Sequence, residues 1–188
     1  GHPVLNGITE VEFIDTPFQD VTDFLSDLHG ISIRVTGDFD QPIKHQPINL
    51  QASDLPLYLV LEIATETVGA RWGILGQTVV IASPKDFPLW EKAMADHRRA
   101  QVTITRLNLA GNPLAQKLQQ PAECEFVGTP LREALAFLAE AQHVNVAFWG
   151  GGLSDKVNWI SNVPFGELLT LILAERDLSW ETDGFVIL

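Results

Sequence analysis

The chain has 188 residues, 46% hydrophobic and 19% charged, with a net charge of −12. That balance marks a folded chain rather than a disordered one, and its acidity makes nucleic acid and anionic membrane surfaces poor partners. No apolar run approaches the ~20 residues that span a bilayer, so no direct membrane insertion is expected within this stretch.

The chain opens Gly1-His2 without a methionine and reads as an excised fragment with a tag remnant, so the lack of a targeting segment says nothing of compartment. Val11 to Ile14 reads as a short strand, and Thr16-Pro17 as a helix start. Threonine can cap free amides there, and proline at the first helical position loses no bond. Gln19 could complete a capping box. Val21, Phe24, Leu25 and Leu28 form one apolar stripe of that helix, which Gly30 ends. Ile31, Ile33 and Val35 alternate as a half-buried strand. After the polar loop 37–46, Ile48, Leu50 and Ala52 face one way on another strand. A second helix begins near Pro56, with the stripe Leu57, Val60, Leu61, Ala64. The hairpin Arg71–Leu75, Gly76-Gln77, Thr78–Ile81 closes the set.

The same order then returns. Shifted by 113 residues, Glu12, Phe13, Thr16, Pro17, Phe24 and Leu25 meet Glu125, Phe126, Thr129, Pro130, Phe137 and Leu138. Six identities fall in the 20 positions from Glu12 to Ile31, where ordinary usage gives about one. The second copy has the helix stripe Ala134, Phe137, Leu138, Ala141, with His143 in place of the terminal glycine. A strand follows at Val144, Val146 and Phe148, and another at Val157 and Trp159. A helix entered near Pro164 carries Phe165, Leu168, Leu169 and Ile172. The final hairpin is Leu178–Thr182, Asp183-Gly184, Phe185–Leu188, with Trp180 matching Trp72. Between the copies lie a helix candidate, Phe87 to Arg99, with Leu89, Trp90, Ala93, Met94 and His97 on one side, a strand, Val102 to Leu109, and the turn Gly111-Asn112-Pro113.

These elements predict an α+β chain of two tandem β-α-β-β-α-β-β modules, each with two helices packed against small mixed sheets. The expected boundaries are 8–86, an ordered connector over 87–122, and 123–188. Charge is uneven: residues 1–86 carry 4 basic and 12 acidic side chains, 87–123 carry 5 and 3, and 124–188 carry 3 and 9.

Candidate chemistry is sparse. Asp20, Asp23 and Asp27 share a face of the first helix, with Asp15, Asp38 and Asp40 near in sequence. A hard cation prefers such oxygens, but no Asp-x-Asp-x-Asp-Gly loop is present, and a solvated face is the favoured reading. The histidines are scattered, without zinc-ligand spacing. Ser26, Asp27 and His29 cannot converge on one atom from one helix. Gly150-Gly151-Gly152 lacks the Lys-Ser/Thr of a phosphate loop and reads as a flexible turn. Trp149, just before it, is either a core lid or a partner contact. Cys124, the lone cysteine, rules out an internal disulfide and reads as a buried thiol. No catalytic residue, cofactor or metal site is expected.

The element order resembles the secretin and TonB N-terminal short domain and the first periplasmic domain of secretins. So do a first helix entered through Thr-Pro-Phe/Leu, a second through Leu/Val-Pro-Leu/Phe, and the closing Trp…Gly…Val-Ile hairpin. The resemblance covers residues 11–85 and 124–188. It implies a periplasmic or cell-envelope location and a non-enzymatic role in transport or signalling, docking other envelope proteins or copies of itself. The predicted interaction surface is made of sheet edges and loops, with Trp149, Gly150, Gly151 and Gly152 as possible contacts. The alternative is a small-ligand or metal-binding domain using Asp20, Asp23 and Asp27.

Overall fold

The computed structural model describes residues 2–36, 43–148, 151–184, 186 and 187. The chain is α+β and divides into two compact units, Gly1–Glu91 and Lys92–Leu188.

In the first unit, a 3-10 turn over Pro3–Asn6 precedes β1 (Ile8–Pro17), α1 (Phe18–His29), β2 (Ser32–Val35), β3 (Pro47–Pro56), α2 (Leu57–Thr67), β4 (Arg71–Leu75) and β5 (Thr78–Ala82). β1 and β3 form an antiparallel two-stranded ribbon. β5 lies between β2, which is parallel to it, and β4, which is antiparallel. Alternation explains the ribbon: Val11 and Phe13 on β1, with Ile48 and Ala52 on β3, are buried, while Glu10, Glu12, Gln51 and Ser53 face outward. Their inward side chains meet Phe18, Val21 and Leu25 of α1 and Leu57, Val60 and Leu61 of α2 in one core that also takes Val79 and Ile81.

The second unit holds most of α3 (Phe87–Leu109), then α4 (Pro113–Gln119), β6 (Pro121–Pro130), α5 (Leu131–Ala141), β7 (Asn145–Val146), β8 (Lys156–Pro164), α6 (Phe165–Ala174) and β9 (Val186–Ile187). β6 pairs with β8 antiparallel, and β7 with β9 parallel. These pairings correspond to β1–β3 and β2–β5.

Proline sets the strand-to-helix corners. Pro17, Pro56, Pro130 and Pro164 each end a strand, and a helix starts at the next residue. Proline donates no hydrogen bond, so it suits a strand end, and the amide behind it needs an acceptor from elsewhere. Phe18 N donates to Gln46 O at 2.9 Å and Leu131 N to Asp155 O at 2.8 Å; Leu57 N donates to Gly7 O and Phe165 N to Gln120 O, both at 2.9 Å. Each acceptor lies just before the strand that pairs with the one leading into the helix. The expected threonine cap is therefore corrected. Pro17 occupies the cap position with no side-chain bond, Thr16 Oγ1 donates to Ile14 O, and Gln19 Nε2 donates to Asp23 Oδ1 at 2.7 Å instead of closing a capping box.

The strand expected over Val102–Leu109 is helix, continuous with Phe87 onward. The β-branched run Val102-Thr-Ile-Thr suggested a strand, but burial follows a helical step through Ala93, Met94, His97 and Ile104. Thr105 Oγ1 returns its hydrogen to Gln101 O at 2.9 Å, as threonine does inside helices. The expected turn at Gly111-Asn112-Pro113 is present, and it also starts α4: Gly111 has φ 69°, and Asn112 Oδ1 accepts from Leu114 N at 2.9 Å.

The second hairpin is also corrected. Leu178–Glu181 is not strand, although Val186–Ile187 is. Trp180 nonetheless matches Trp72: Trp72 Nε1 donates to Glu62 Oε2 at 2.8 Å and Trp180 Nε1 to Thr170 Oγ1 at 2.9 Å, each ten residues back on the second helix of its unit. α6 is buried along its whole length, whereas α2 exposes Tyr58 and Ile63. α4 packs on α6 and supplies buried Leu114, Ala115 and Leu118. An all-round apolar helix such as α6 needs that extra cover.

Candidate interaction surface

Both antiparallel ribbons kink at one matching place, and β1–β3 has a further register shift between Thr9 and Val11. Ile14 and Asp15 stand opposite Asn49, between the pairs Phe13–Leu50 and Thr16–Ile48. Val127 and Gly128 stand opposite Asn158, between Phe126–Trp159 and Thr129–Val157. Asp15 (φ 47°) and Gly128 (φ 59°) hold the left-handed conformation that such a bulge requires. The asparagine secures it: Asn49 Oδ1 accepts from Asp15 N at 2.9 Å and Asn158 Oδ1 from Gly128 N at 2.7 Å. The bulge turns Ile14 and Val127 into solvent, 71% and 77% exposed.

The first-helix stripes are not wholly core, which corrects the sequence expectation. Val21, Leu25, Ala134 and Leu138 are buried, but Phe24 is 49% and Phe137 54% exposed, and Leu28 is 50% exposed. A helix face wide enough to meet the ribbon is already filled by Phe18, Val21, Thr22 and Leu25 on α1, and by Leu131, Ala134, Leu135 and Leu138 on α5. Phe24 and Phe137 therefore sit on the rim, each meeting a strand phenylalanine edge to face. The Phe13–Phe24 centroids are 5.7 Å apart at 86°, and the Phe126–Phe137 centroids 5.8 Å apart at 90°.

In the second unit these residues line a groove of about 790 Å³. Phe126, Phe137 and Ile160 form its apolar part, and Glu123, Glu125 and Glu133 its acidic part; Cys124, Thr129, Ser161 and Asn162 complete it. Successive β6 side chains alternate in direction, so having residues 123 to 126 all in the wall places strand backbone there too. Ser161 Oγ is a buried oxygen with no hydrogen-bond partner among the described residues, although such groups are normally satisfied. Cys124 is a buried thiol, as expected. Burial pushes its pKa up to about 11, against a smaller opposing effect from a backbone hydrogen bond of Ser161.

The other expected sites stay apart. Asp20, Asp23 and Asp27 are all exposed on α1; Asp23 accepts from Gln19, and among the described residues no group of three or more acidic, histidine or cysteine side chains could hold a metal ion. Asp38 and Asp40 lie outside the described residues, as do Trp149 and Gly150. Gly151 is exposed, and Gly152 takes φ 78° in a turn where Asp155 N donates to Gly152 O at 3.1 Å. Ser26 Oγ donates to Ile31 O at 2.6 Å, and His29 Nε2 meets Thr9 Oγ1 at 2.9 Å, so the Ser26, Asp27 and His29 trio is dispersed. The rim phenylalanines and the glutamates beside them went unread as a surface. Their signal was Glu10-Val-Glu12-Phe13 against Glu123-Cys124-Glu125-Phe126, in which the outward acids repeat along with the core. No helix among the described residues is long and apolar enough to cross a membrane. Comparison with protein-family models, with characterised proteins and with solved structures finds no match to this chain.

Proposed function

We propose that the chain is a non-catalytic interaction module of a cell-envelope protein of the secretin or TonB-receptor type, docking envelope proteins or copies of itself through its ribbons. The observation that carries this reading is the repetition of exposed apolar side chains. Ile14 and Phe24 in one unit and Val127 and Phe137 in the other stand at matching positions, and all four are about half exposed or more. A core repeats because both copies must fold. Ile14 and Val127, turned outward by a bulge, add little to either core, so their recurrence points to a partner. The ribbons add to this, since a two-stranded sheet leaves backbone edges that an extended chain can join. The element order β-α-β-β-α-β-β over Ile8–Ala82 also supports the envelope reading.

The test is capture of cross-linked partners from an envelope extract of the source organism, with the wild-type chain and with Ile14→Lys and Val127→Lys as baits. A partner, or a second copy, that wild type retains and the lysine variants lose is the expected result. No specific partner and no self-association, with the fold intact by circular dichroism, overturns the reading.

A further inference from the structure

We propose that the groove between β6 and α5 binds an extended, lysine- or arginine-bearing segment of a partner protein, a cation seated over the Phe137 ring among Glu123, Glu125 and Glu133. The inference rests on the docking reading above and names the chemistry of its partner.

Three observations carry it. The groove joins an apolar floor to three carboxylates and has no basic side chain among the described residues of its lining, so it complements a positive segment. Glu133 and Phe137 lie one helical turn apart on α5, on the same face. Phe126 and Phe137 meet edge to face, which holds the Phe137 ring while leaving that residue 54% exposed. A held, half-open aromatic face beside carboxylates attracts an ammonium or guanidinium by both its quadrupole and their charge. Finally, β6 pairs only with β8 among the described residues, so its other edge can take the backbone of an extended chain.

The same set stands in the first unit. Glu10, Glu12, Phe13, Asp20 and Phe24 match Glu123, Glu125, Phe126, Glu133 and Phe137; Glu10, Glu12 and Asp20 are exposed, and Phe24 meets Phe13 edge to face as Phe137 meets Phe126. A second copy of this chain is a poor occupant, because its net charge of −12 would face the carboxylates.

The probes are fluorescein-labelled octapeptides of alternating Lys-Val and of alternating Glu-Val, titrated against the whole chain by fluorescence polarisation. The Lys-Val peptide should bind and the Glu-Val peptide should not. Binding should weaken about tenfold between low and high salt. Combined Glu123→Gln, Glu125→Gln and Glu133→Gln should weaken it several-fold, as should Phe137→Leu, which keeps apolar bulk but removes the ring. The exposed Glu181→Gln should change nothing. Equal binding of both peptides, or indifference to the three glutamines and to Phe137→Leu, overturns the proposal. So does self-association of the chain that buries this groove. If Lys-Val fails to bind while Ile14→Lys and Val127→Lys still lose a captured partner, docking stands and the basic segment is excluded.

Discussion

Cys124 and His97 show how burial dominates the chemistry of single residues. Both are buried, and each is pushed toward its neutral form. The thiol of Cys124 is raised to about 11, so near neutral pH only a minute share is thiolate, the nucleophilic form. Alkylation by iodoacetamide at pH 7.5 should be far slower than for free cysteine and should climb steadily as pH approaches 11. Rapid labelling at neutral pH would mean that the groove wall opens. His97 lies below its ordinary 6.5, chiefly because burial penalises the imidazolium and secondarily because Arg98 adds positive charge. Its Nδ1 is buried without a partner among the described residues, while Nε2 lies 3.5 Å from Gln101 Nε2. The sign follows from linkage: the unfolded chain takes the proton first, near pH 6.5, so this contribution is whole above that pH and is lost as pH falls through the lower folded value. Proton NMR should place the His97 midpoint below 6.5, and His97→Leu should flatten the acid-side decline in melting temperature. A midpoint above 6.5 would reveal a carboxylate partner for the ring.

At the scale of elements, the shared bulge is the most instructive feature. The same left-handed corner is filled by glycine in one ribbon and by aspartate in the other. A side chain there costs about 1 kcal/mol, so Gly128→Ala should lower stability by about that amount, although no atom crowds the new Cβ. Asp15→Gly should be close to neutral, since relief of backbone strain offsets the loss of its bond from Asn49 Nδ2 and the added freedom of the unfolded chain. Removing the clasp with Asn158→Ala should cost about 1 kcal/mol. Urea unfolding measures all three, and a stabilising Gly128→Ala would contradict the assigned geometry. Sequence reasoning reached the paired ribbons because alternation reports which face is buried, and it reached α2 and α6 because proline marks their entry. It misread Val102–Leu109 because β-branched residues carry a strand preference that helical packing of Ile104 overrides. It assigned Phe24 and Phe137 to the core because periodicity gives the direction of a stripe and not its width. The outward acids of the groove were legible as a repeat, yet only their placement beside a half-open ring gives that repeat a chemical meaning.

For the whole molecule, the division between compact units falls after Glu91, within the continuous helix Phe87–Leu109. Most boundaries between units lie in exposed loops where few contacts cross and proteases cut. Here a protease must first unwind helix, and that helix is anchored by side chains on either side of the division. Trp90 is 2% exposed and Ile104 is 1% exposed. Arg98, Arg99 and Arg106 present exposed side chains on the same helix, so trypsin has targets in sequence but not in an extended backbone. Cleavage at these arginines should therefore be slow and should follow the opening equilibrium of the helix. Trp90→Ala removes a large buried ring, which costs about 3–5 kcal/mol at a fully packed site, and Ile104→Asp places a carboxylate among apolar neighbours. Both variants should speed cutting at Arg98, Arg99 and Arg106 by orders of magnitude, while the exposed Val102→Thr should leave the rate near that of wild type. Mass spectrometry of a timed digest assigns the sites. Prompt cleavage of the wild-type chain between Lys92 and Arg106, leaving two resistant halves, would show the helix to be a tether and not part of a packed unit.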